Sequence, residues 1–381
     1  MESEKMSLRI LQCTDVLLDG PRARVRRDGV EQRRMALRDA FTAFMTRVRE
    51  EEADAVLFCG NLLDGAYATD DTLTYLIRAF SENSNCHFII APGPRDPYDE
   101  QSIYRSRRFP HNVHVFSEEV ASSFSFPDLP LTVYGWGYRT SRFSHAPLVG
   151  VSRVPTERFT VLCGHALLQN EEGVCPLSHE DVASFGAHYT ALGGGPHEGF
   201  LRVGSGICST AGAFDISDFN GEEESTFGSY LRIDAAKKEG GWAIEAQRVP
   251  LESERYEQIF LDVSHMTDLS DVKERLLEAL KKRSCSANTV LRVTLYGTVS
   301  PDADFSGLES GADYGVYAVT VRDKTLPTDG AEHLLREMNA RGELYRHFYG
   351  RMTEGSEEER ERAARQFRIG YAALLGRDFG L

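Results

Sequence analysis

Side chains capable of chemistry gather at the ends of short apolar runs in this sequence. One run ends in CTDVLLDG, carrying Asp15, and a second in CGNLLDG, carrying Asn61 and Asp64. A third ends in APGPRDP with Arg95 and Asp96, and later ones in LCGHALL with His165 and ALGGGPHEG with His197. Asp, Asn and His offer oxygen and imidazole groups, and in α/β proteins such groups work from loops at the carboxyl ends of strands. Taken singly, each also has a plain structural reading. Asp after a strand is a common turn former, Gly-Asn a common turn, and a lone His after Gly is more often structural than a ligand. A separate feature is the arginine cluster Arg22, Arg24, Arg26, Arg27, Arg33, Arg34 and Arg38, only partly offset by Asp28 and Glu31. Guanidinium groups at that density suit the phosphates of nucleic acid, although a solvated loop and helix start would account for them as well.

The elements that must position these residues read as strands alternating with helices. SLRILQC, DAVLFC, CHFIIA, NVHVF, LTVYGWG, FTVLCG and YTALGG are apolar or β-branched runs bounded by Gly, Pro, Asp or Asn, the pattern of buried strands. Between the first two, Leu37, Phe41, Phe44, Met45 and Val48 recur at steps of three and four and predict a helix. Leu73, Leu76, Ile77 and Phe80 predict another. Strand, helix, strand in that order implies crossover connections and an α/β sandwich. Near Glu252 the pattern changes. YEQIFLDVS reads as a strand, Asp271 to Arg283 as a helix capped by Ser270, and TVLRVTLYGTV and YGVYAVTVRD as two further strands. Beyond Thr328 the chain reads as charged helix, including the solvated stretch SEEERERAARQF.

Composition sets the outer bounds. With 381 residues, 41% hydrophobic and 27% charged, the chain is long enough for two or three packed units and too apolar for disorder. The start MESEKMSLRILQC is too short and charged for a signal peptide, and no run of about 18 apolar residues occurs. The expectation is a soluble cytoplasmic protein without a membrane partner. The seven cysteines are scattered with no CxxC spacing, which points to reduced core residues. A net charge of −15 repels nucleic acid at long range, so DNA contact would need the local arginine patch or a partner.

Together, the order and spacing of the strand-end loops resemble the five-motif pattern of the metallophosphoesterases. In that family the strands end in Asp-x-His, Gly-Asp-x-x-Asp, Gly-Asn-His-Asp or Glu, a lone His, and Gly-His-x-His. The match is nearest the SbcD nuclease branch, in the stretches DAVLFCGNLLDGAYATDDTLTYLIRAF, PHNVHVF and RVPLESERYEQIFLDVS, and the ending FRIGYAALLGRD resembles SbcD-like YhaO proteins. The resemblance implies an α/β fold: a metallophosphoesterase β-sandwich flanked by helices over 1–252, a small β-α-β-β cap domain over 253–325, and a helical partner-docking segment over 326–381.

The departures from the family pattern are as informative. Asp15 keeps the first aspartate, but Leu17 replaces the histidine after it, and Asn61 replaces the bridging aspartate while Asp64 and Asp96 remain. Pro94 and Arg95 replace an asparagine ligand and the catalytic histidine; His165 matches the lone histidine. Gly194 and Pro196 stand where the last two histidines belong, with His197 one residue out of register. Two dications some 3.5–4 Å apart need anionic ligands between them, and Asn61 lacks that charge. The expectation is an SbcD-like DNA repair exonuclease homologue with a vestigial, inactive two-metal site. It would act as a scaffold or DNA-end subunit beside an SMC-like coiled-coil ATPase. No tightly bound metal is expected; one weakly held manganese or other divalent ion on Asp15, Asn61, His165 and His197 stays open. So do an active phosphodiesterase or exonuclease with a mononuclear or rearranged site, an anion-binding protein using Arg95, and a homodimer. Nucleic-acid contact would fall to Arg22, Arg24, Arg26, Arg27, Arg33 and Arg34. Arg95 is expected to fold inward onto Asp15 or Asp64.

Overall fold

The computed structural model describes residues 7–20, 30–106, 108–143, 145–153, 157–168, 175–195, 199–214, 216, 219, 225–264, 266, 268–283, 285–300, 303–309, 311–327 and 329–376. The chain divides into two compact units. The first is Met1–Ser217 with Phe227–Ser253, and the second is Asp218–Thr226 with Glu254–Leu381.

The first unit opens with β1 (Ser7–Cys13), α1 (Val30–Glu50), β2 (Ala55–Cys59), α2 (Asp70–Ser81), β3 (His87–Ala91) and β4 (Val113–Val115). These strands pair parallel in the order β1-β2-β3-β4, as helical crossovers require. The predicted stripe of α1 is what it buries: Leu37, Phe41, Phe44, Met45 and Val48 are each at most 4% exposed, worth roughly 1.5–3 kcal/mol per large side chain. α2 starts with Thr69 in a reciprocal capping box with Thr72, and Leu73, Leu76 and Phe80 are buried while Ile77 is half-buried.

There follow β5 (Ser122–Ser125), β6 (Leu131–Gly135), β7 (Phe159–His165), α3 (His179–Phe185), β8 (Tyr189–Gly193), β9 (Gly199–Val203) and β10 (Gly206–Thr210). They form a second sheet in the order β5-β6-β7-β8-β10-β9. β11 (Ser225–Lys238) returns antiparallel to β1, and β12 (Gly241–Asp262) carries the chain onward. One core lies between the first sheet and α1 and α2, a second between the two sheets, and a third beyond the second sheet against α3. The layers are therefore helix, sheet, sheet, helix. Strands β5, β9, β10 and β11 had no signal in the apolar runs; β5 and β9 are edge strands, and β5 is largely serine.

The second unit takes β12 from Glu254, then α4 (Leu269–Lys281), β13 (Thr289–Tyr296), β14 (Thr298–Val299), β15 (Ala318–Asp323), β16 (Leu326–Pro327), α5 (Ala340–Thr353) and α6 (Glu357–Leu374). β12, β13 and β15 pair parallel. The N-cap of α4 is Asp268, whose carboxylate accepts from Ser270 N, and not Ser270 itself. Asp and Ser cap about equally well, so the extended backbone at Asp268, φ −103° and ψ 129°, decides the position. Phe219, distant in sequence, joins this unit by meeting Tyr256 edge to face at 5.1 Å and lying under Arg292 at 3.7 Å. α5 and α6 share the cluster Leu334, Tyr345, Phe367 and Tyr371, and Arg368 ties α6 to Asp323 at 2.6 Å. All seven cysteines are free thiols, six of them buried. No helix among the described residues is long and apolar enough to cross a membrane.

Candidate functional site

The carboxyl ends of β1, β2, β3, β7 and β8 meet at one edge of the first unit. The main chains of the first two loops are zipped together, Asp15 N to Gly60 O at 3.1 Å, Leu17 N to Asn61 O at 2.9 Å and Leu18 N to Leu62 O at 3.0 Å. Asp15, Leu17 and Asn61 are held at φ of 53°, 52° and 56°. Asp and Asn tolerate that left-handed region, whereas for Leu it is a strained conformation that the paired loops must enforce.

Within this frame Asn61 and Asp15 are directly bonded. The Asn61 side-chain oxygen accepts from Arg95 N at 2.9 Å, which fixes the amide orientation and turns its nitrogen to Asp15 Oδ1 at 2.6 Å. Thr14 Oγ1 donates to the other Asp15 oxygen at 3.0 Å. Asp64, almost fully buried, pairs with the Arg95 guanidinium. Of the two partners expected for Arg95 the structure thus gives Asp64, while Gly65 N to Arg95 O at 2.8 Å holds the backbone alongside.

Asp96 is turned into the protein. Its carboxylate accepts from Asn61 N, Gly93 N, Leu63 N and Tyr104 Oη at 2.9, 2.7, 3.2 and 2.6 Å. Burial pushes this carboxyl above its ordinary pKa despite those four donors. It is a clamp between two loops, a role its place in the motif could not distinguish from a ligand's.

His165 lies 8% exposed at the end of β7. Its Nδ1 is 3.0 Å from Cys59 O, and since a carbonyl only accepts, Nδ1 carries the proton, so in the neutral ring the lone pair is on Nε2. Two glycines make room for the ring. A Cβ at Gly60 would come within 2.4 Å of Nδ1 and one at Gly194 within 2.8 Å of Nε2, and both have φ above 90°. The glycine standing where the family pattern has a histidine is thus fitted around His165. His197 lies outside the described residues, as do Arg22, Arg24, Arg26 and Arg27 and the side chain of Arg33.

The described end of the arginine cluster faces inward. Arg38 grips Asp19 with a two-pronged bond, Nε to Oδ1 at 2.9 Å and Nη2 to Oδ2 at 2.7 Å. It also reaches Asp71 at 2.8 Å, and Arg34 stands 3.7 Å from Asp19. Burial works against the Asp19 charge, but Arg38, the Thr72 hydroxyl and Arg34 outweigh it and hold the carboxyl below the usual range. Arg38 is raised in turn, chiefly by its bond to Asp19. This pair was missed, though a signal existed: LLDG occurs twice, at 17–20 and 62–65, and each contains a buried aspartate with an arginine partner. Among the described residues no three His, Cys, Asp or Glu side chains are grouped to hold a metal ion.

Comparison with known proteins covers the same region. The family model described as calcineurin-like phosphoesterase matches residues 8–201. An uncharacterised metallophosphoesterase of Bacillus subtilis (strain 168), YhaO, is 26% identical over 151 residues, which is 38% of this chain and 36% of that protein. The chain therefore spans little more than a third of that relative's length in the match. Among solved structures, the protein TT1561 of Thermus thermophilus is 16% identical with a TM-score of 0.36, covering 59% of this chain and 93% of that one. A dimetal phosphatase of Danio rerio is 13% identical with a TM-score of 0.38, covering 64% and 98%.

Proposed function

The chain belongs to the calcineurin-like phosphoesterase family, and we propose that within this family of phosphoesterase-type hydrolases it is an SbcD-like member whose metal centre has been replaced by internal polar bonds. On this reading it serves as a scaffold or DNA-end subunit beside an SMC-like coiled-coil ATPase rather than as a nuclease. The observation that carries it is the bond of 2.6 Å from the Asn61 amide to Asp15. At that separation a carboxylate in place of the amide would face another carboxylate and require a proton or cation between them, whereas the amide satisfies Asp15 without either. Arg95 supports the reading by neutralising Asp64 with a permanently charged, planar group. The donors that remain for a metal, Asp15 and His165, do not fit a bridged pair of dications.

Elemental analysis of the purified protein checks this directly. Less than one tightly held transition metal per chain is expected, together with no manganese-dependent cleavage of DNA or of a simple phosphodiester above a mock preparation. About two metal ions per chain, or activity abolished by Asp15→Ala, would overturn it. A second reading, hydrolysis from a single weakly held ion, is favoured by His165, whose Nδ1 is engaged by Cys59 O so that Nε2 is the ring nitrogen that could meet an ion. It requires one metal per chain whose loss in His165→Ala removes activity. The partner assignment is tested by co-purification with a coiled-coil ATPase. DNA contact by Arg22, Arg24, Arg26, Arg27, Arg33 and Arg34 is tested by the salt dependence of binding, each phosphate contact adding roughly one unit of log–log slope.

A further inference from the structure

The two edges of the second sheet of the first unit differ in kind. β5 ends it with Ser122, Ser123, Phe124 and Ser125, but β9 ends it with Gly-Phe-Leu-Arg-Val. Phe200 is 47% and Leu201 48% exposed. In the pairing of β9 with β10, Phe200 opposes Ser209 and Leu201 opposes Cys208. Opposed residues share a face and neighbours alternate, so Phe200 and Leu201 stand on opposite sides of the strand. Both faces of this edge therefore offer a half-open apolar side chain, and among the described residues no strand pairs with its outer side. Exposed edges are ordinarily blunted by charge, proline or a bulge; β9 has no proline and one charge, Arg202.

We infer that β9 is a self-association edge, which pairs antiparallel with β9 of a second copy about a two-fold axis at Leu201. The sequence of the strand is its own complement in that register. Gly199 faces Val203, Leu201 faces Leu201, and Phe200 of each copy faces Arg202 of the other, so two guanidinium groups lie beside two aromatic rings. An unrelated peptide would have to bring these complements, whereas a second copy brings them by symmetry. The five residues of β9 fall well short of the roughly 800 Å² per partner of a standard interface. The dimer is therefore weak and concentration-dependent. The net charge of −15 on each copy opposes it, so association strengthens as salt screens that repulsion.

Sedimentation velocity over a concentration series, at low and high salt, tests the inference on the full chain. A monomer–dimer equilibrium favoured by salt is expected. Leu201→Lys sets two like charges opposite each other and should raise the dissociation constant about tenfold or more. Register is tested in a Cys208→Ser, Cys285→Ser background, since Cys208 stands opposite Leu201 and Cys285 is the one native thiol that is not buried. L201C places two Cα atoms about 4.5–5.5 Å apart, within disulfide reach, and should cross-link. F200C places them roughly 8 Å apart by strand geometry and should not. A monomer at every concentration, a dimer indifferent to Leu201→Lys, or equal cross-linking of the two cysteine variants would each overturn the inference.

Discussion

Two buried aspartates, Asp19 and Asp64, hold the third place of the same four-residue sequence LLDG, and each meets an arginine. Their surroundings nevertheless set them to different work. Asp19 is 3% exposed, and Arg38 is itself largely covered, gripping it with two short bonds and reaching Asp71 as well. Asp64 is as deeply buried, but the Arg95 side chain is 56% exposed and meets it through one nitrogen. The first pair is part of the packing between α1, α2 and the first loop; the second lies among the strand-end loops with its arginine open to solvent. The difference teaches that a charged pair is best judged by the exposure of its more open member. Water can replace Arg95 but cannot easily replace Arg38.

The sharpest test of this contrast is Arg38→Ala. Breaking a buried pair by removing one partner should cost roughly 3 kcal/mol or more, read as a fall in denaturant midpoint. Its acid companion has a definite sign. Because the folded pKa of Asp19 is lowered, the stability from this pair is fully present above the unfolded value near ~4 and is lost as pH falls through the folded value. The stability difference between wild type and Asp19→Asn should therefore shrink in acid, and a difference that stays constant down to the acid transition would contradict the assignment.

Asn61→Asp should come next in size. Two carboxylates in the place of the Asn61–Asp15 bond repel by several kcal/mol at an effective dielectric near ~20, and binding a proton caps the loss at about 4 kcal/mol at neutral pH. A carboxyl with a raised folded pKa regains stability relative to wild type as pH falls, so the defect should heal in acid. Added manganese should heal it too. A variant as stable as wild type at neutral pH without metal would show that Asn61 does not replace a charge.

Arg95→Ala should have the smallest effect, about 1 kcal/mol or less, because the Arg95 side chain is already 56% exposed and water can take its place beside Asp64. Thermal melts of Arg95→Ala beside Arg38→Ala decide the comparison. Equal losses would mean that both pairs are structural.

Much of this organisation was legible in the sequence, and for identifiable reasons. The stripe of Leu37, Phe41, Phe44, Met45 and Val48 follows the helical period and is buried as that period requires. The apolar runs ending at Cys13, Cys59, Ala91 and His165 are buried strands whose loops meet at one edge. The inward turn of Arg95 followed from the charge left at Asp64. What could not be read depended on contacts distant in sequence. Whether Asp96 serves a cleft or a loop is decided by Tyr104 and three backbone amides, and the membership of Phe219 in the second unit by Tyr256 and Arg292. The Asp268 cap was missed because Asp and Ser are nearly equal in capping preference, so only the path of the backbone separates them.

The Asp96 clamp bears on how such a site can change over generations. By fastening Asn61 N, Leu63 N and Gly93 N to one carboxylate, it holds the second and third loops in place with protein atoms alone. Substitutions at positions 17, 61 and 95 could then accumulate one at a time without unfolding the loops that carry them, which leaves a lineage free to lose a chemistry while keeping its architecture.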